Sequence, residues 1–235
     1  GFWAIEGDSA LNDVLPFAKA GLPVLVTPDI TFYKQRKVRV LNGGHTSMTC
    51  AALLTGVETV GQCMEDRDIS RFLRRAVYDE IIPASGMPQD VLCSFADAVM
   101  DRFRNPFIRH ELISITLNTT SKWRARVLPS LKAYMQTFGT PPVCLCFGFA
   151  ANIVFARCGK FDVKDDPDVL AFFAEHSGDA PAELCRRFCA RTDFWGEDLN
   201  LLPGFADTVT ENLNAIARLG ARAALQAVLE KAEEK

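Results

Sequence analysis

Apolar residues recur at helical spacing along most of the chain, and only residues 1–31 depart from this pattern. Several stretches place Leu, Ile, Val, Phe and Ala side chains on one helical face. They are residues 37–54, 66–82, 88–103, 167–175, 180–190 and 207–231, with Gly220 as a possible kink in the last. The pattern predicts a mainly α fold, with a multi-helical domain over residues 32–235.

The first 31 residues carry a different signal. Two short apolar runs, Trp3–Glu6 and Pro23–Thr27, are separated by Pro and Gly residues. Such runs predict two strands, with a short helix between them over residues 11–20. We therefore expect a short mixed α/β segment in front of the helical domain.

Two central stretches have irregular helical patterns. Residues 141–156 form the longest apolar run, which Gly148 and Asn152 interrupt, and it falls short of the ~20 residues that a membrane-spanning helix requires. It predicts a buried helix. Residues 106–137 predict a long, broken helical stretch that bends near Trp123 and Pro129.

Composition narrows the class of protein. The chain has 235 residues, 49% hydrophobic and 23% charged, and a net charge of -3, which is typical of a soluble globular domain. This charge gives no reason to expect nucleic acid or an anionic membrane as a partner. The start of the chain lacks a secretory signal and an initiator Met, so we expect a piece of a longer protein.

The eight cysteines do not indicate disulfides or a metal site. Most lie in apolar helical stretches, where a free Cys acts as a small hydrophobic residue. There is no C-x-x-C pair, and Cys144-Leu-Cys146 and Cys185-x3-Cys189 have no His at ligand spacing. We predict a reduced, cytoplasmic protein without a bound metal.

The strongest candidate for chemistry is Lys37-Val-Arg-Val-Leu-Asn42-Gly-Gly-His45. A desolvated Lys37 near a second cation would have a lowered pKa and could act as a general acid or base. The amide of Asn42 could polarise an oxygen, and His45 could orient a hydroxyl. Each residue alone would be ordinary. The three can converge only if Lys37 stands at the start of the helix and the chain enters it at an angle.

The adjacent Gly43 and Gly44 cost about 1 kcal/mol each in a helix interior relative to Ala. They predict close approach of another backbone or of a ligand, although a simple helix crossing would also explain them.

A second candidate region combines Arg102-Phe-Arg104-Asn105-Pro106 with the later run from Asn118 to Lys122. It could form a cradle for an anion or a polyol, in which Lys122 binds a carboxylate and neighbouring hydroxyls assist. Arg109 and His110 would add positive charge. Two ordinary surface loops would produce the same pattern.

These residues resemble the C-terminal domain of the mannitol dehydrogenase family, the polyol-specific long-chain dehydrogenases. The resemblance rests on K-x-R-x-L-N-G-x-H-S/T from Lys37, E-x-x-P from Glu80, R-F-x-N-P from Arg102 and the loop lysine Lys122. It runs from about Trp3 to Pro129, and the later helices fit the family's helical domain. It implies a fold like the C-terminal domain of 6-phosphogluconate dehydrogenase, with residues 1–31 as the tail of an N-terminal Rossmann domain and a linker.

The resemblance also implies roles for individual residues. Lys37 would be the catalytic acid/base, Asn42 would polarise the carbonyl, and His45 would hydrogen-bond the reacting or a neighbouring hydroxyl. Lys122 would contact the substrate further out, together with Arg104 and Asn105. Family members use NAD and no metal. The chain lacks G-x-G-x-x-G, so NAD would bind to the Rossmann domain, with no cofactor-binding residue in this chain.

Within the family, residues 105–123 look most like the tagaturonate reductases, also called altronate oxidoreductases. Mannitol-type members carry an Arg eight positions before the loop lysine, where this chain has Ser114, and Asp-Gly-Ser before that lysine, where it has Asn118-Thr-Thr-Ser. These differences argue against a plain hexitol and fit a substrate with a terminal carboxylate.

The implied reaction is D-altronate + NAD ⇌ D-tagaturonate + NADH in hexuronate catabolism, with this chain alone inactive. Fructuronate reductase and mannitol 2-dehydrogenase are the alternatives within the family. A non-catalytic helical interaction domain is the alternative of another class.

Overall fold

The computed structural model describes residues 2–233 of the chain. It divides into two compact units, Gly1–Val38 and Arg39–Lys235. The domain boundary expected from the sequence, between residues 31 and 32, lies a few residues earlier and stays a prediction. Within residues 2–233, no helix is both long and apolar enough to cross a membrane.

The first unit contains the two predicted strands. β1 (Trp3–Glu6) and β2 (Val24–Thr27) pair in parallel, from Trp3 opposite Val24 to Glu6 opposite Thr27. The predicted helix over residues 11–20 is much shorter than expected, because α1 covers only Leu11–Val14. Pro16 follows directly, and proline cannot continue a helix because it lacks an N–H and clashes with the preceding turn.

Helical structure dominates the rest of the chain, as predicted. The helices are α2 (Thr31–Arg36), α3 (Gly43–Leu54), α4 (Val60–Glu65), α5 (Arg67–Arg75), α6 (Gln89–Phe103), α7 (Leu112–Ile115), α8 (Thr119–Lys122), α9 (Leu128–Phe138), α10 (Val143–Arg157), α11 (Pro167–Glu175), α12 (Pro181–Cys189), α13 (Thr192–Trp195), α14 (Phe205–Leu219) and α15 (Ala221–Glu233), with a 3₁₀ turn at Leu199–Leu201.

Wider, π-helical turns interrupt this pattern at Lys37–Asn42, Ala76–Ile81 and Trp123–Val127. Their hydrogen bonds run from residue i to i+5, and such turns occur frequently at functional sites. The first leads directly into α3. The third explains the bend predicted near Trp123, and Pro129 follows it in the first turn of α9.

Two helix predictions were wrong in detail. The single helix predicted over residues 207–231 is two helices, α14 and α15. Gly220 separates them with φ of 81° and ψ of 160°, a conformation that only glycine adopts readily. The short helix α4 was missed. Its signal is a capping box, in which Thr59 accepts the N–H of Gln62 and the Gln62 side chain accepts the N–H of Thr59.

The predicted buried helix α10 is the centre of the second unit. Most of its residues are buried, and it packs against α3, α14 and α15. Gly148 permits the crossing with α3, because a Cβ at this position would lie 2.6 Å from the carbonyl oxygen of Ser47. The central helix thereby fixes α3, which carries the candidate site residue His45.

The buried carboxylate of Glu80 caps the beginning of α10. Its oxygens accept the N–H groups of Cys144 at 2.6 Å and Leu145 at 2.8 Å. Helix N-termini leave such N–H groups without partners and favour negative charge. Burial nevertheless raises the pKa of Glu80 to about 7, against the opposing effect of these two hydrogen bonds. Glu80, one of the residues behind the family resemblance, is therefore structural.

Candidate active site

The three residues of the first motif lie along consecutive helical segments. Lys37 begins the π-helical turn Lys37–Asn42, Asn42 ends it, and His45 lies in the first turn of α3. Lys37 belongs to the first compact unit, and the other two belong to the second. Lys37 is exposed, so the described residues do not supply the desolvation that its expected role calls for. Its convergence with Asn42 and His45 stays a prediction.

Asn42 occupies the position before α3 but does not cap it. Its φ and ψ of -74° and -37° are already helical, and its side chain makes no capping hydrogen bond. Helix propagation through this position explains why, because a capping side chain needs an extended backbone. The half-buried carboxamide has no hydrogen-bond partner in the part of the chain that the structure describes. It is therefore available to an incoming oxygen.

The imidazole of His45 is held between two aromatic rings. It stacks on Phe103, with ring centroids 4.1 Å apart and planes within 10° of each other, and His110 meets it edge-on at 5.4 Å. Its Nε2 atom is buried and has no hydrogen-bond partner within residues 2–233. Buried polar atoms are rarely left unpaired, because each costs about 1–3 kcal/mol.

The protonation state of His45 follows from the same surroundings. Burial is the largest cause, and together with the charges of His110, Arg126 and Arg102 it lowers the pKa of His45 to about 3. The imidazole is therefore neutral at physiological pH. A neutral imidazole offers one donor and one acceptor, which suits a hydroxyl group as partner.

The rings around His45 were missed by sequence reasoning. Phe103 was part of the R-F-x-N-P motif but was given no role, and His110 was considered only as an additional positive charge. Backbone pairing between two loops holds His110 in place: the N–H of Val60 donates to the carbonyl of His110, and that of Leu112 to the carbonyl of Glu58. A short antiparallel bridge of this kind leaves no periodic signal in the sequence.

Hydrogen bonds order the segment from Asn118 to Lys122, which includes α8. Asn118 adopts a left-handed conformation with φ of 51°, and its N–H donates to the carbonyl of Lys164 at 2.8 Å. The N–H and hydroxyl of Thr120 both donate to one carboxylate oxygen of Asp165, at 2.9 and 2.8 Å. The hydroxyl of Ser121 donates to the Asn118 carbonyl. These two hydroxyls donate within the protein and keep their lone pairs as acceptors, so the expected hydroxyl cradle stays a prediction.

Lys122 itself faces a partly buried, positively charged environment. Its Nζ donates to the carbonyl of Ile115 at 2.9 Å. Burial lowers the pKa of Lys122, the charge of Arg126 lowers it further, and Asp165 opposes both. The same Arg126 acts on His45. Arg126, which sequence reasoning did not select, is therefore an electrostatic neighbour of both candidate residues.

The other two predicted substrate contacts have local partners. Arg104, directly after α6, is exposed and pairs with Asp101 of that helix at 3.0 Å. The Oδ1 of Asn105 accepts the N–H of Phe107 at 3.0 Å, which forms a turn after α6. The structure does not bring these two side chains to His45, and their role in binding stays a prediction.

Gly44 has a structural explanation. A Cβ at this position would lie 3.2 Å from both Leu73 Cδ1 and Val77 Cγ2, so the missing side chain makes room for a neighbouring helical segment. Of the expectations from the sequence, the simple helix crossing is the correct one at Gly44.

The described residues do not form a dinucleotide site. Their only sheet has two strands, whereas a dinucleotide fold needs an open sheet of several parallel strands. Nor do residues 2–233 group three or more His, Cys, Asp or Glu side chains as a metal site would. Metal independence stays a prediction.

Comparison with known proteins gives a consistent result. The family model described as mannitol dehydrogenase C-terminal domain matches residues 29–217. Altronate oxidoreductase of Yersinia pestis is 41% identical over 235 residues, which cover 96% of this chain and 49% of that protein. Altronate oxidoreductase of Bacillus subtilis (strain 168) is 42% identical, over 95% of this chain and 47% of that protein.

Solved structures share the fold. Pseudomonas fluorescens mannitol 2-dehydrogenase, in a ternary complex with NAD and D-mannitol, superposes with a TM-score of 0.78 at 22% identity, covering 91% of this chain and 44% of that one. A substrate-free D-sorbitol dehydrogenase gives a TM-score of 0.74. The chain spans about half the length of the curated relatives it matches. With its motif, its multi-helical fold and the family match in agreement, the chain belongs to the mannitol dehydrogenase family, as a C-terminal domain of that family.

Proposed function

We propose that this chain is the substrate-binding and catalytic part of a cytoplasmic, NAD-dependent tagaturonate reductase, which interconverts D-tagaturonate and D-altronate in hexuronate catabolism. The observation that carries the proposal is the half-buried, neutral imidazole of His45, whose buried Nε2 has no partner among the described residues. The altronate oxidoreductases at 41–42% identity supply the substrate class.

The residues of the chain divide the work on the carbonyl. Lys37 donates a proton from its Nζ to the ketone oxygen during reduction and takes it back during oxidation. The Asn42 amide donates a hydrogen bond to the same oxygen as negative charge develops on it. His45 Nε2 pairs with the reacting or a neighbouring hydroxyl and orients it. Bound NADH supplies the hydride.

The π-helical turn supports this assignment. In a regular α-helix, residues five apart point about 140° away from each other. Hydrogen bonding from i to i+5 turns such residues toward a common face. Lys37 and Asn42 are five apart and bound the π-helical turn. We therefore propose that the turn helps the amine and the amide to act on one oxygen.

The first unit supports a nucleotide-binding domain as partner. Parallel strands are normally covered on both faces, yet no residue of β1 or β2 is buried. Residues 1–31 are proposed to be the tail of that domain and the linker to the helical domain. Its docking would also desolvate the exposed Lys37.

The test uses the complete polypeptide that contains this chain, supplied with NADH and with tagaturonate, fructuronate or fructose in turn. We expect the fastest turnover on tagaturonate. Faster turnover on fructuronate or fructose would replace tagaturonate reduction by one of the two alternatives within the family. No turnover on any ketose would favour the non-catalytic interaction domain.

Two further outcomes follow from the proposal that another domain binds NAD and that Lys37 acts without a metal. Isothermal titration of the chain alone with NAD should give no saturable binding in the micromolar range, because the cofactor site lies in the other domain. Dialysis of the complete enzyme against EDTA should leave turnover unchanged, since Lys37 handles the oxygen charge. Micromolar NAD binding, or loss of activity that zinc restores, would contradict these statements.

A further inference from the structure

We propose that Arg126 binds the carboxylate of the substrate and thereby sets the preference for a sugar acid over a neutral sugar. The inference rests on the proposed function, because it names the residue that recognises the distinguishing group of the substrate class. Neither the motif nor the resemblance pointed to this residue.

Arg126 is held by the third π-helical turn, Trp123–Val127. The neighbouring side chains of Trp123 and Val127 are buried at 1% and 0% exposure, and the turn packs against α3, the helix of His45. Arg126 is half-buried. Its backbone is thus anchored against the helix that carries His45, while its half-buried side chain stays partly open to solvent.

Arg126 lacks a counter-charge. Neither an ion pair nor a hydrogen bond to its side chain exists in the described part of the chain. Other arginines of the domain are paired: Arg222 with Asp66 at 2.7 Å and Arg191 with Asp193 at 2.6 Å. Burial of an unpaired charge is unfavourable, and burial lowers the pKa of Arg126. An anionic ligand would compensate for this.

The surroundings of Arg126 increase the demand for an anion. Its positive charge lowers the pKa of both Lys122 and His45, so the three groups lie within electrostatic range of one another. Asp165, the acid that acts on Lys122, already accepts two hydrogen bonds from Thr120. The described residues thus gather positive charge beside an unpaired imidazole without neutralising it.

Arg126 fits a carboxylate better than Lys122 does. A guanidinium presents a planar fork that binds both oxygens of a carboxylate, whereas an ammonium acts as a point charge. The ammonium of Lys122 already donates one hydrogen bond to the carbonyl of Ile115. Lys122 is then left to contact the hydroxyls of the same substrate.

The experiment compares two ketoses in the complete enzyme: tagaturonate, and tagatose, in which a hydroxymethyl group replaces the carboxylate. Truncating one partner of a desolvated charge pair costs enough to lower affinity about 30-fold or more. We expect Arg126→Met to lower kcat/KM for tagaturonate by about that factor, mainly through KM. The kcat/KM for tagatose should change less than about 3-fold, since tagatose has no carboxylate for Arg126 to bind.

Two variants complete the series. Arg126→Lys keeps the positive charge but not the planar guanidinium. Its kcat/KM for tagaturonate should therefore lie between the values of the wild type and of Arg126→Met. Arg218→Met removes one positive charge from an exposed position of α14. It should leave both substrates unaffected, which controls for net charge.

The outcomes separate this inference from the proposed function. Equal losses on tagaturonate and tagatose would overturn the role of Arg126, while a wild-type preference for tagaturonate would leave the function intact. A wild-type enzyme that turns over fructose fastest would overturn the function whatever Arg126 does. If Arg126→Met does not fold, inhibition of the Arg126→Lys variant decides. The inhibition constant of altronate should rise relative to that of the neutral altritol. An unchanged ratio of the two inhibition constants would refute the inference.

Discussion

Glu80 and His45 are titratable side chains of the same helical domain, one buried and the other half-buried, yet their buried polar atoms are treated in opposite ways. The carboxylate of Glu80 accepts two backbone N–H groups at the beginning of α10. The Nε2 of His45 is equally withdrawn from water and has no partner within residues 2–233. One group is satisfied by the fold, and we propose that the other is kept for the substrate.

The difference lies in the free energy of an unpaired polar atom. Leaving a buried donor or acceptor without a hydrogen bond costs about 1–3 kcal/mol. At Glu80 the fold offsets the burial of the carboxylate by capping a helix. At His45 it does not, and the stack on Phe103 holds the ring in place regardless. Glu80 should therefore matter for stability and His45 for catalysis.

The largest expected effect belongs to Lys37, which is exposed and has no core to support. Lys37→Ala in the complete enzyme should lower kcat by roughly 10²–10⁴-fold, the usual contribution of a positioned acid/base. Steady-state kinetics measures the loss. Thermal unfolding followed by circular dichroism should give an unchanged midpoint, and near-normal turnover would exclude Lys37 as the acid/base.

Glu80→Ala should affect stability rather than catalysis. It leaves two N–H groups of α10 uncapped in a buried place and should lower the free energy of unfolding by roughly 2–4 kcal/mol. Urea unfolding measures this change. The kcat of the protein that remains folded should be unaffected, and a stable but inactive variant would make Glu80 part of the site.

His45→Phe should have the opposite effect, on catalysis rather than on stability. A phenyl ring preserves the volume and can stack on Phe103, but it offers no hydrogen bond. We expect kcat/KM to fall roughly 5- to 150-fold, which corresponds to one unmade buried hydrogen bond, with stability unchanged or slightly raised. A variant that keeps full activity but unfolds more easily would show that the imidazole is structural.

The smallest effect concerns pH. The pKa of Glu80 is raised to about 7 from an ordinary value of 4.5, so the folded state binds the proton more tightly than the unfolded state. Stability from this group is fully present below pH 4.5 and is lost as pH rises toward 7. Glu80→Gln removes this dependence.

The control for the pH prediction is the difference between two proteins, because other groups titrate in both. The free energy of unfolding of wild type relative to Glu80→Gln should fall by roughly 1–3 kcal/mol between pH 4.5 and 7.5. Urea titrations at several pH values measure it. A difference that stays constant, or that rises with pH, would mean that Glu80 does not titrate in this window.

The helical pattern was predictable because it depends on periodicity within single segments. Strands β1 and β2 and the buried helix α10 follow from runs of apolar residues. Gly220 was expected to kink one helix but separates two, and the shortness of α1 was missed, since one glycine or proline decides each case against an otherwise continuous apolar pattern.

The site was predictable only in part. His45 stood out through its motif, and its role stays a prediction. Phe103, His110 and Arg126 lie 58 or more positions away in the sequence and reach His45 through tertiary packing alone. For Arg126 the informative feature is a missing partner, which no sequence pattern records.

The central claim is that His45 keeps a neutral, unpaired Nε2 for the substrate. Histidine-specific ¹⁵N labelling tests it directly in the complete enzyme, with His45→Phe to assign the resonance; this chain contributes three His. We predict that the His45 nitrogens remain those of a neutral ring from pH 8 down to 5. Saturating altronate should shift Nε2 of His45 and leave His176 unchanged. A His45 that titrates near its ordinary pKa of 6.5, or that does not respond to altronate, would contradict the account.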